Sequence, residues 1–124
     1  LPMTQEEYNE YCGGLPSTTH VVQWGGAHVW KVGGKVFAIA GWGEGEDLAV
    51  TFKVSDIAFE ILQDLPGLRP APYLASRGFK WIQNYQPSGL SDDDLRDFIS
   101  KSHELVAAGL TKKLQRELGF LDRL

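Results

Sequence analysis

Two Gly-Gly pairs, Gly25-Gly26 and Gly33-Gly34, stand between short runs rich in β-branched and aromatic residues, and this punctuation constrains the fold more than any other feature of the chain. The runs are Thr18 to Trp24, Ala27 to Val32 and Lys35 to Gly41. A tight hairpin loop needs positive φ angles, which glycine adopts without a steric cost. Strands joined by such loops are antiparallel neighbours. Leu48, Val50, Phe52 and Val54 then alternate with Ala49, Thr51 and Lys53, predicting a fourth strand with one buried face. The acidic, glycine-rich stretch 41–47 is the expected hairpin loop between the third and fourth strands.

Helical signals flank this meander. Thr4 with Glu7 three residues later matches a capping box, Tyr8, Tyr11 and Cys12 form an apolar stripe, and Gly13-Gly14 ends the helix. Ser55 is a good N-cap, Asp56 suits the positive end of the helix dipole, and Ile57, Ile61, Leu62 and Leu65 are the expected buried stripe. A segment containing Pro70 and Pro72 leads to a fifth strand, Phe79 to Tyr85. Ser91 caps a third helix lined by Leu95, Phe98, Ile99, Ser102, Leu105 and Val106. After Gly109, Leu110 to Leu118 predicts a short last helix carrying Lys112, Lys113 and Arg116. The 124 residues, 43% hydrophobic and 23% charged, suit one α+β domain spanning 1–124, an antiparallel sheet packed against helices.

Several function classes are excluded or disfavoured. Cys12 is the one cysteine, so no internal disulfide forms. No apolar run reaches the roughly 18 residues of a membrane span, and the start lacks a signal-peptide layout, so a cytoplasmic monomer is expected. The chain begins at Leu1 without a methionine, and a short segment ahead of it is expected. Cys12 falls near a helix end, where the dipole disfavours a thiolate, and His20, His28 and His103 have no nucleophile at a telling spacing. No catalytic residue, and hence no enzyme, is expected. Neither C-x-x-C nor H-x-x-x-H nor an EF-hand occurs, so neither metal nor cofactor is expected. Gly41-x-Gly43-x-Gly45 precedes a strand rather than a helix and is acidic, the wrong setting for a phosphate.

The net charge of −4 argues against a strongly basic nucleic-acid-binding domain, yet basic and aromatic residues interleave. Trp24, Trp30, Trp42 and Trp81, with Phe37, Phe79 and Tyr85, alternate with Lys31, Lys35, Lys53, Arg77 and Lys80. Aromatic rings stack on bases and cations contact phosphates, so a sheet bearing both could bind nucleic acid. The competing expectation is that most of these rings form the core beneath the helices. Strand alternation places Lys31 and Lys53 on the face opposite their apolar neighbours.

The run Val29 to Ala38 (VWKVGGKVFA) resembles the x-F-K-V-x-G-K-x-F-A core of the MmcQ/YjbR family. Leu48 to Val54 (LAVTFKV) resembles its L-x-L-K strand, and Pro72 to Ile82 (PYLASRGFKWI) its tryptophan-containing strand. Ser102 to Val106 and Leu110 to Leu114 resemble its C-terminal S-Y-x-L-V-x-x-x-L-x-K-K pattern. Leu74 stands where many members have histidine, and His103 where members often have tyrosine. The resemblance implies a two-layer, CyaY-like (frataxin-like) α+β fold and a DNA-binding role. By position it singles out Lys31, Gly34, Lys35, Phe37, Lys53, Trp81, Ser102, Lys112 and Lys113.

The expected interface for double-stranded DNA, weak and salt-sensitive, is therefore Lys31, Lys35, Lys53, Arg77, Lys80, Trp81, Lys112 and Lys113. The alternative is a protein-interaction or adaptor domain with Trp42 or Trp81 as anchor. A third expectation, by analogy with the frataxin-like fold, is a hard cation such as iron on Glu6, Glu7 and Glu10.

Overall fold

The structure, a computed structural model, describes residues 2–43, 47–74 and 77–121. Among these residues the chain forms helix α1 (Gln5–Gly13), strands β1 (Thr18–Gln23), β2 (Ala27–Val32), β3 (Lys35–Ala40) and β4 (Val50–Lys53), helix α2 (Asp56–Leu62), strands β5 (Leu68–Pro70) and β6 (Trp81–Asn84), and helices α3 (Asp92–Ala108) and α4 (Lys112–Glu117). Residues 44–46 of the acidic loop and residues 75–76 lie outside the described residues.

The helix starts follow their sequence signals. The Glu7 amide donates to the Thr4 hydroxyl at 3.1 Å, and the Thr4 amide donates back to the Glu7 carboxylate at 3.1 Å. Ser55, Ser91 and Thr111 each accept from the amide three residues on, satisfying a donor the helix itself leaves open.

The six strands form one antiparallel sheet in the order β1-β2-β3-β4-β6-β5. The four-stranded meander is as the sequence predicts. Gly33 and Gly34, at φ 57° and 81°, make the two-residue turn between Val32 and Lys35. The β1–β2 turn is longer, because Trp24 leaves the strand and joins Gly25 and Gly26 at positive φ. Strand β5 has no counterpart among the predicted elements. It is three residues long and sits at the sheet edge, where Pro70 costs no ladder hydrogen bond.

Helices cover one face of the sheet, where Val32, Phe37, Phe52 and Ile82 meet Tyr8, Phe59, Leu95 and Ile99. The other face holds Ala27, Val29 and Ile39, against which Trp42 and Leu74 pack from neighbouring loops. Strand β4 is consequently buried on both faces, Thr51 as fully as Phe52, and not on one face alone. The β2–β3 register shifts between Trp30 and Lys31, which leaves Phe37 as an extra residue. Its carbonyl accepts from Ser102 Oγ at 2.6 Å, and the same hydroxyl accepts from the Lys53 amide at 2.9 Å. One buried side chain thus ties α3 to the ends of β3 and β4.

Helix α2 is turned differently from the expectation. Phe59 and Leu62 face the core, while Ile57, Ile61 and Leu65 are 75%, 62% and 42% exposed. On α3, His103 and Ala107 are buried beside Ser102, whereas Leu105 is 38% exposed. Among the described residues no helix is long and apolar enough to cross a membrane.

Candidate functional site

Antiparallel pairing brings strand ends from distant parts of the chain together, and here it gathers lysines. Lys31 pairs opposite Val36, Lys35 opposite Val32, and Lys53 opposite Trp81. The Val54 amide donates to the Lys80 carbonyl at 3.0 Å, which extends the β4–β6 ladder to Lys80. Lys31, Lys35, Lys53 and Lys80 therefore occupy the same end of four adjacent strands.

Helix α4 joins them. A Cβ built on Gly33 would lie 2.6 Å from Leu110 and 3.2 Å from Leu114, so the segment carrying exposed Lys112 and Lys113 abuts the hairpin tip. Among the described residues the ion pairs are those of Arg96, with Glu7 at 3.8 Å and Asp93 at 3.4 Å. Among those same residues, none forms an ion pair with a strand-end lysine. Lys80 lies with its Nζ 4.8 Å over the Phe59 ring, which fixes its position against α2.

Two of the expected contacts are placed otherwise. Trp81 is 9% exposed, packed within the sheet, and its ring is closed to base stacking. Arg77 lies on the segment before β6, off the strand ends, with its guanidinium carbon 5.8 Å from the Phe79 ring. The opposite end of the sheet is acidic. A cleft of about 470 Å³ there is lined by Asp47, Asn84, Asp92 and Asp93, and the Met3 amide donates to Asp92 at 3.0 Å. Net charge alone therefore does not describe the lysine-bearing end of the sheet.

The residues of the other expectations are engaged as follows. Glu7 is held by its capping box, and the amide and hydroxyl of Thr4 keep its carboxyl below the ordinary value. Cys12 is buried, and burial pushes its thiol up to about 12. His103 is buried with Nε2 2.8 Å from the Pro16 carbonyl.

Two groupings escape sequence reasoning. His20 stacks on both His28 and Trp30, with centroids 5.1 and 4.8 Å apart, and His20 Nε2 lies 3.0 Å from His28 Nδ1. Gln5 and Asn9 of α1 bond to His28 and Trp30, fastening the β1–β2 hairpin to the helix. On the other face Trp24, Trp42 and Tyr73 form a contact ladder, with centroids 5.7 and 5.5 Å apart. All three have positive φ, at 53°, 63° and 68°, a costly backbone for bulky side chains. Period and spacing cannot reveal either group, since each joins residues from separate loops or strands.

Comparison with known proteins places this geometry. The YjbR family model matches residues 13–105. A crystal structure of a DUF419-domain protein from Deinococcus radiodurans is similar with a TM-score of 0.82 at 22% identity, over 98% of this chain and 91% of that one. A crystal structure of a Pseudomonas syringae protein has a TM-score of 0.66 at 18% identity, over 84% of this chain and 99% of that one. At these identities the likeness is one of fold. No curated protein matches the chain.

Proposed function

The chain belongs to the YjbR family, and for this member we propose a non-catalytic domain that binds the phosphate backbone of double-stranded DNA through the basic end of its sheet. The observation that carries the reading is the alignment of Lys31, Lys35, Lys53 and Lys80 on four neighbouring strand ends. Lys112 and Lys113 stand beside the hairpin tip, and among the described residues no ion pair neutralises any of the six. Phosphate contacts of this kind position a protein without reading bases. With Trp81 buried, its ring offers no stacking platform, so binding rests on the lysines and is weak and indifferent to sequence. Such a domain acts in the cytoplasm.

Fluorescence anisotropy with a labelled duplex at low salt tests the reading. Binding that is lost in a Lys35→Glu, Lys112→Glu, Lys113→Glu variant supports it. No binding by the unaltered chain at high micromolar concentration sinks it.

The Trp24–Trp42–Tyr73 ladder favours a second reading, an adaptor for an extended peptide bearing arginine or lysine. Aromatic faces attract cations, so such a ladder would hold a guanidinium or ammonium group. Trp24→Ala abolishing retention on an arginine-rich peptide column, with duplex binding intact, would separate this use from the first.

A further inference from the structure

We propose that the exposed side of α2 docks into the α2–α3 groove of a second copy of this chain, forming a two-fold dimer. The α2 segment carries two series at a spacing of four. Asp56, Glu60 and Asp64 make one, and Ile57, Ile61 and Leu65, each one residue on, make the other. With 3.6 residues per turn, residues four apart stack on one side, so within the helix Asp56 and Glu60 run beside Ile57 and Ile61, and Asp64 and Leu65 follow in the turn after it. All six residues are exposed. Single exposed aliphatics are ordinary, but three within nine residues, two of them stacked on one helix side, mark a contact surface.

The complementary surface lies immediately beside this one. A groove of about 420 Å³ between α2 and α3 has Val54, Ala58, Phe98 and Leu105 as its apolar lining. Lys53, Lys101 and one carboxylate, Glu104, also line it. Lys101 Nζ sits 5.4 Å over the Phe98 ring, a cation held against the apolar lining. An apolar row beside carboxylates thus meets an apolar groove whose charged lining is two lysines to one glutamate.

Both halves of that match belong to the same chain, and Ala58 of α2 itself lines the groove. A two-fold axis near α2 then seats each α2 in the other copy's groove at once. Such a self-complementary contact closes after two subunits and leaves no stripe for a third. A second copy thereby covers two stripes and fills two grooves, where an unrelated helix would fill one groove and leave the stripe bare. Were Ile57, Ile61 and Leu65 in the core, as their spacing predicts, α2 would offer a second copy nothing to cover; exposed, they do. Lys53 is shared with the proposed DNA-binding set, so Lys101, which lies outside that set, supplies the charge test.

Sedimentation velocity of the full chain, from micromolar to millimolar, tests it. The unaltered protein is expected to shift from 13.8 kDa toward twice that mass as concentration rises. Ile61→Asp and, independently, Ile57→Asp should each lower the association constant by at least about tenfold while leaving the far-UV spectrum and Tm near those of the parent. Lys101→Glu should weaken the dimer by placing a carboxylate against the acidic row. A chain that stays monomeric at millimolar concentration overturns the proposal, even if some other protein covers the stripe. A dimer unaffected by both isoleucine substitutions overturns it equally.

Discussion

Gly33 lies directly against Leu110, so closely that a Cβ at position 33 would stand 2.6 Å from a Leu110 methyl carbon. Glycine is needed there twice over, for the turn at φ 57° and for the approach of the segment leading into α4. Its neighbour Gly34, at φ 81°, has nothing within 4 Å of the same construction. Gly34→Ala therefore carries only a backbone cost, about 1 kcal/mol, whereas Gly33→Ala adds a steric clash and should cost about 2–3 kcal/mol. Thermal unfolding of the two variants checks the order. Equal losses would mean that α4 is not docked on the hairpin.

The meander is legible in the sequence because its turns are written in glycine and its strands in β-branched residues, both local signals. Helix α2 is not. Its four-residue spacing is genuine, but Ile57 and Ile61 define one stripe and Phe59 and Leu62 another, and a helix of seven residues can present either. Which one faces inward depends on where β4 delivers the chain and where β5 takes it up, and β5 is too short, with Pro70 at its end, to announce itself. The lysines of the candidate interface are legible one by one. Their convergence depends on β6 pairing with β4 across an insertion of two elements, which no local pattern encodes. Trp81 illustrates the limit: alternation says that it points away from Ile82, not whether that face is covered.

Ser102 stands in for a missing piece of sheet ladder. Its hydroxyl joins the Phe37 carbonyl to the Lys53 amide, and the residue is wholly buried. Ser102→Ala removes both bonds and leaves a donor and an acceptor dry. The expected loss is about 2–3 kcal/mol, since an unsatisfied buried polar group costs its desolvation. Urea titration should show a lower midpoint with an unchanged slope. A midpoint within error of the parent would mean that water reaches the β3–β4 junction.

The His20–His28 contact makes stability depend on pH. If the Gln5 amide donates to His28 Nε2, then His28 Nδ1–H donates to His20 Nε2, and that bond requires an unprotonated His20 ring. Burial, and then the neighbouring His28, lowers the pKa of His20 below 6.5. A lowered histidine means that the unfolded chain takes up the proton first, so its contribution is whole above the unfolded value and is lost as pH falls through the folded one. Urea midpoints should decline as pH falls below about 7, ahead of most carboxylate titration. His20→Gln, which still offers an acceptor but does not titrate, should flatten that decline. An equally steep decline in this variant would assign it to other groups.

Salt dependence discriminates phosphate contact from stacking at the basic end. Each phosphate neutralised on a duplex contributes about 0.9 to the slope of log affinity against log salt. If four strand-end lysines engage together, the slope should be about −3 to −4. Lys35→Gln should then flatten it by about one and weaken binding alike on unrelated sequences, because Lys35 is exposed beside the Gly33-Gly34 turn and touches no base-reading element. Trp81→Phe should change neither slope nor affinity, since the ring lies inside the sheet. A slope near zero, or a folded Trp81→Phe chain with impaired binding, would show that the lysines are not what holds the DNA.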